Sequence, residues 1–179
     1  MINWFWIQFA AICIVGAMSP GPSLALIIRN SIKYGRVSGL LSSIGHAIGI
    51  GIYAAISVVG LQLIIIKNIF LFNTIQFCGS VFLLILGILF LKNSGEKLSI
   101  DDEQKKLNSF AQGFAISILN PKILIWFAAI FSQFIDVLST SMTKFIMVFI
   151  ASSIDGIWYV IVTITVTGFG LKHFLESNT

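Results

Sequence analysis

The run "FAAICIVGAMSPGPSLAL" (residues 9–26) decides how this chain is read. Its first ten residues suit the middle of a membrane-spanning helix, yet Pro20, Gly21 and Pro22 then interrupt it. Proline has no N–H, so Pro20 leaves the Gly16 carbonyl without its helical donor, and Pro22 does the same to Met18. In hydrocarbon such carbonyls persist only where protein or water covers them. The stretch is therefore either an ordinary proline kink or the lining of an interior site.

The surroundings place it in a bilayer. Of 179 residues, 57% are hydrophobic and 10% charged, with a mean hydropathy of +0.98. A soluble domain of this size has too little interior for that much apolar surface, so the class is an all-α, polytopic membrane helix bundle with the lipid bilayer as its partner. The pI near 9.2 invites a nucleic-acid partner. The cations fall mainly between apolar runs, however, which suits membrane orientation and argues against nucleic acid. Five segments are long enough to cross about 30 Å of hydrocarbon. They run from about Trp4 to Ile28, Gly39 to Ile66, Ile69 to Leu91, Phe110 to Ile135, and Thr143 to Phe169.

The N-terminus "MINWFWIQFA" has no basic region and no cleavage site, so it reads as a retained first span, with Trp4 and Trp6 in an interfacial aromatic belt. Arg29, Lys33 and Arg36 follow the first span, and Lys92, Lys97, Lys105 and Lys106 follow the third. The positive-inside rule then places these two loops and the tail "KHFLESNT" in the cytoplasm, and the N-terminus outside. Cys13 and Cys78 both sit in apolar runs and read as small core residues.

The two proline-bearing spans superimpose. With Phe9 set on Phe110 in "FAQGFAISILNPKILIWF", Pro20 falls on Pro121 and Ser19 on Asn120. "SIGHAIGIGIYA" from Ser43 and "SIDGIWYV" from Ser153 correspond loosely in the spans that follow. The chain thus divides into a first half of three spans (1–91), a cytoplasmic linker (92–109) and a second half with two visible spans (110–179). Three spans separate one half from the next, so the halves enter the bilayer from opposite sides. Paired proline-interrupted spans in corresponding positions are the pointer to an inverted-repeat transporter.

Three stretches, "SPGPS" (19–23), "YGRVSGLLSSIGHAIG" (34–49) and "NPKILIWFAAIFSQFID" (120–136), give the chain its resemblance to the LysE/RhtB family of amino-acid exporters. The resemblance implies a six-helix inner-membrane protein that exports amino acids on proton motive force. The family pattern has a sixth span, and the sequence stops at Thr179 after the fifth. A truncated, non-transporting member is therefore the alternative, as is a dimer in which a second copy supplies the missing packing surface.

The breaks suggest the chemistry. Ser19-Pro20 and Asn120-Pro121 each read as an N-cap followed by the first residue of a half-helix. The amides of Gly21 and Ser23, and of Lys122 and Ile123, would then face the midplane from opposite sides. They would offer a carboxylate site, with freed carbonyls near for an ammonium. Ser19, Pro20, Gly21, Pro22, Ser23, Asn120, Pro121 and Lys122 are accordingly the expected substrate-binding residues, for an amino acid or similar small zwitterion. Asp155 shares a helical face with Ser152, Gly156, Tyr159, Thr163 and Thr167, and a carboxylate at that depth is a functional hypothesis by default. Asp155 and His46 are the expected proton-coupling pair; the competing reading is a fixed ion pair of Asp155 with Lys122 or His46. Gly35 and Gly39, and Gly45 and Gly49, have the spacing of close helix packing. No residues stand at metal-ligand spacing, and no cofactor is expected. The sequence has no HExxH, no pair of intramembrane aspartates and no G-x-S-x-G elbow, so an intramembrane enzyme is the weaker class.

Overall fold

The computed structural model describes residues 4–92, 108–136 and 139–168, which form seven α-helices and no strand. The linker expected over 92–109 and the tail after Phe169 lie almost wholly outside the described residues. The helices are α1 (Trp4–Met18), α2 (Pro22–Tyr34), α3 (Arg36–Lys67), α4 (Ile69–Lys92), α5 (Ser109–Leu119), α6 (Pro121–Phe134) and α7 (Ser141–Gly168). The expected first and fourth spans are each a bent pair. The chain turns by 62° between α1 and α2 and by 60° between α5 and α6. Residues Arg36–Leu61 of α3 and all of α7 are long and apolar enough to cross a membrane unbroken. The protein is an all-α membrane helix bundle.

The first loop differs from its expected place. The helix after the break runs on to Tyr34, so Arg29 and Lys33 lie within α2 and Arg36 opens α3. Arg29 is buried, at 6% exposure, and is not a loop cation. The turn is a single residue, Gly35, whose φ of 86° lies in the left-handed region that favours glycine. Gly35 therefore serves the turn; it has no neighbour within packing distance and is not the interface glycine its spacing suggested.

The long α3 is the centre of the bundle and packs against α2, α5, α6 and α7. Its outward stripe is Ile44, Ile48, Ile52, Ile56, Val59, Leu63 and Ile66, all exposed to where lipid would be. Its inward face is smaller and more polar: Ser42, Ser43, His46, Ile50 and Ala54 are buried. Lipid tails are as apolar as leucine, so a larger apolar core would give these helices no net drive to associate. Close approach of small residues and hydrogen bonds provide it instead. A Cβ on Gly45 would strike the Phe110 carbonyl, one on Gly49 the Ser117 hydroxyl, and one on Gly113 the Ser42 backbone. Tyr53 Oη donates to the Ile118 carbonyl across the same seam, and Ser152 Oγ donates to the Ala47 carbonyl at 2.8 Å.

Aromatic rings join α1 to α6. Phe9 meets Phe131 at 5.4 Å and Phe134 at 5.2 Å, edge to face. Trp4 is exposed, as an interfacial anchor requires, whereas Trp6 packs against the core in a T-shaped contact with Phe5 at 4.9 Å. Cys13 is buried as expected, but Cys78 is exposed and is not a core residue.

The α3–α5 seam makes a direct prediction. Gly113→Ala must push two backbones apart, costing about 1–3 kcal/mol, whereas Gly60→Ala meets no neighbour and is neutral. Thermal unfolding of the detergent-solubilised variants measures both.

Candidate substrate-binding site

The two breaks are built differently. In the first, Ser19 N–H turns back to the Gly16 carbonyl at 3.2 Å, so that carbonyl keeps a donor despite Pro20. Helix α2 begins at Pro22 with Gly21 as its N-cap, not at Pro20 with Ser19 as the cap. Pro22 disfavours a helical conformation in the residue before it, so the helix cannot start earlier. Gly21 is fully extended there, and no side chain caps the end.

In the second break Asn120 caps α6 as expected. Its side chain accepts from Lys122 N–H at 3.0 Å, and its carbonyl accepts from Ile123 N–H at 3.0 Å. These two amides were expected to face a ligand and are instead used by the cap. The uncapped end of α2 is left as the helix terminus that can receive an anion.

Lys122 links the breaks. Its Nζ donates to Ser19 Oγ at 2.8 Å and to the Pro20 carbonyl at 2.9 Å. Of the carbonyls expected to be freed, that of Gly16 keeps a backbone donor, and the neighbouring Pro20 and Ile118 carbonyls are taken by Lys122 and Tyr53.

A cavity opens beside this junction. From the breaks it is lined by Ser19, Gly21, Ser23, Asn120 and Lys122, and from α3 and α7 by His46, Asp155 and Tyr159. Seven of the ten expected site residues therefore meet in one place. Pro20 and Pro22 shape the break behind the lining, and Pro121 opens α6.

Asp155 and His46 are paired. Nδ1 of His46 lies 2.7 Å from Oδ2 of Asp155, with the residues 1% and 6% exposed. With a charged carboxylate, Nδ1 is the donor. The same ring packs edge-on against Tyr159 at 4.8 Å. Its Nε2 is buried without a hydrogen-bond partner, and Ser23 Oγ, beside the Tyr159 hydroxyl, has no bond of good geometry either. Buried polar atoms rarely stay unpaired without a functional reason.

Two groups of residues were not assigned to the site by the sequence reading. One is the apolar wall of the cavity, which includes Cys13, Ile50, Trp126, Phe127 and Ile130. Nothing local distinguishes these from lipid-facing residues. The other is a buried polar layer among α2, α3, α5 and α7. Asn30 Nδ2 donates to Ser42 Oγ at 2.8 Å and to Gln112 Oε1 at 3.0 Å, and Ser42 Oγ donates to the Ser109 carbonyl at 2.9 Å. Thr163 sits between Ser31 and Ser43, at 3.3 and 3.4 Å. Polar residues in apolar surroundings were the signal here.

Residues 14–173 match the family described as LysE type translocator. The chain belongs to this family. Among similar proteins are an uncharacterized membrane protein, YrhP, of Bacillus subtilis and the threonine efflux proteins of Escherichia coli K12 and Salmonella typhi. The first is 31% identical over 73% of this chain and 66% of its own length. The others are 28% identical over 73% and 66%, and 27% identical over 70% and 64%. The chain thus spans just under two thirds of the relatives it matches. No solved structure matches it. In this LysE-type chain the family motif "SPGPS" forms the first break, and the Asn-Pro-Lys motif forms the second and supplies the lysine that bridges them.

Lys122→Met keeps the side-chain length but removes both bonds across the breaks. The empty protein is expected to lose about 1.5–3 kcal/mol, as for hydrogen bonds to a charged group; Lys122→Arg should lose less. Chemical denaturation of the purified variants checks this.

Proposed function

We propose that the protein is a secondary transporter that exports amino acids or similar small zwitterions across the cytoplasmic membrane by proton antiport. The observation that carries this reading is the cavity. It brings together a lysine and an uncapped helix start from the breaks and a buried carboxylate–histidine pair from α3 and α7. A substrate carboxylate meets the α2 amides, Ser23 Oγ and Lys122. Its charge is a better acceptor for Lys122 than the neutral oxygens of Ser19 and Pro20. The substrate ammonium meets Asp155 and the unpartnered Nε2 of His46. Family membership and the threonine efflux proteins among the relatives support amino-acid export as the activity.

Antiport follows from exclusive occupancy. One carboxylate cannot pair with a substrate ammonium and a protonated His46 at full strength together, so arrival of one favours loss of the other. A proton therefore enters as the amino acid leaves. In the orientation given by the lysines and arginines, the N-terminus is outside and the turn at Gly35 is cytoplasmic. The two broken spans then begin two halves, 1–91 and 110–179, of opposite sense. Rocking of one half against the other about the breaks would alternate access to the cavity.

Efflux of preloaded amino acids from cells making the protein tests the reading. Export should stop on addition of a proton uncoupler. Asp155→Asn keeps the shape but not the charge, and should cut export by roughly 30-fold or more, the lower bound for removing one partner of a buried charge pair. Its level in the membrane should not change. Wild-type efflux by Asp155→Asn, or unchanged efflux across a panel of amino acids on expression, overturns it.

A further inference from the structure

Resting on the reading of this cavity as an amino-acid site, we infer that it selects amino acids with an uncharged side chain, and that Trp126 sets the largest side chain it admits. The charged groups at the cavity are few. Among the described lining residues Asp155 is the carboxylate and Lys122 the ammonium, and His46 is already bonded to Asp155. A zwitterion uses both anchors with its own main-chain groups. Its side chain then meets the rest of the lining, which is uncharged: Cys13, Ile50, Trp126 and Phe127, with the polar groups of Asn120 and Tyr159 beside them. A second cation or anion on that wall would be a buried charge without a partner, which is strongly unfavourable.

Trp126 closes the wall by direct contact with α1. A Cβ on Gly16 would run into the indole, so the ring lies against the helix backbone itself. The Phe9 contacts to Phe131 and Phe134 hold α1 against α6 beside it, so the ring bounds the space left for a side chain.

The test is displacement of radiolabelled valine from the purified full chain in lipid nanodiscs. Lysine and aspartate should be weaker than valine by more than roughly 100-fold. Trp126→Ala should improve phenylalanine relative to valine by about 10-fold or more, and Trp126→Leu, which leaves a smaller void against the core, should move the ratio the same way by less. Lysine or aspartate competing as well as valine overturns the uncharged wall. A phenylalanine-to-valine ratio unmoved in both Trp126 variants overturns the size limit. If no amino acid displaces or binds, the carrier reading fails and this inference with it; binding without discrimination defeats this inference alone.

Discussion

A backbone carbonyl or amide that loses its helical partner inside a bilayer has no water to turn to, and each break in a spanning helix must be repaired by the protein. The architecture of this chain follows from two such breaks. At the first, Ser19 folds back on Gly16 and Lys122 reaches the Pro20 carbonyl. At the second, Asn120 caps α6 and Tyr53 takes the Ile118 carbonyl. Two of these repairs come from other helices, so the breaks cannot exist apart from the bundle. They need each other and they need α3.

That requirement explains the polarity of the fold. The inside of the bundle is small and polar and the outside large and apolar, the reverse of a soluble domain. Serines, glycines and His46 line the inner face of α3 while isoleucines cover its outer stripe. The glycines let α5 approach closely enough for Tyr53 to reach its carbonyl. The Asn30–Gln112–Ser42 network ties the same helices by hydrogen bonds, which hold in lipid where apolar contacts would not discriminate between protein and solvent.

The two breaks look equivalent in sequence but are not equivalent as sites. Asparagine at 120 has a side chain that reaches the amide of residue 122, so the second helix start satisfies itself. At the first, the second proline moves the helix start to Gly21, which has no side chain to cap with. One open helix end and one closed end, with a lysine from the closed side lying across the open one, give the cavity a direction. A symmetric pair of open ends would bind an anion equally from either half.

Much was legible from residue order alone, because the determinants are local. Proline lacks an N–H wherever it stands, so the breaks at 20–22 and 121 could be placed without coordinates, as could the helical class and the matched pair of broken spans. Partnership was not legible. Whether Asp155 pairs with His46 or Lys122 depends on the rotation of α7 against α3 and on where α6 begins, and both are set by packing of small residues between distant segments. The burial of Arg29, the turn at Gly35 and the apolar wall around Trp126 were hidden for the same reason. An isoleucine that faces lipid and one that faces a cavity carry the same local pattern, and only the neighbouring helices decide between them. The sequence by itself determined that the chain breaks its helices within a membrane; the tertiary structure decided which broken end stays open and what faces it, because those depend on hydrogen bonds between residues about a hundred positions apart.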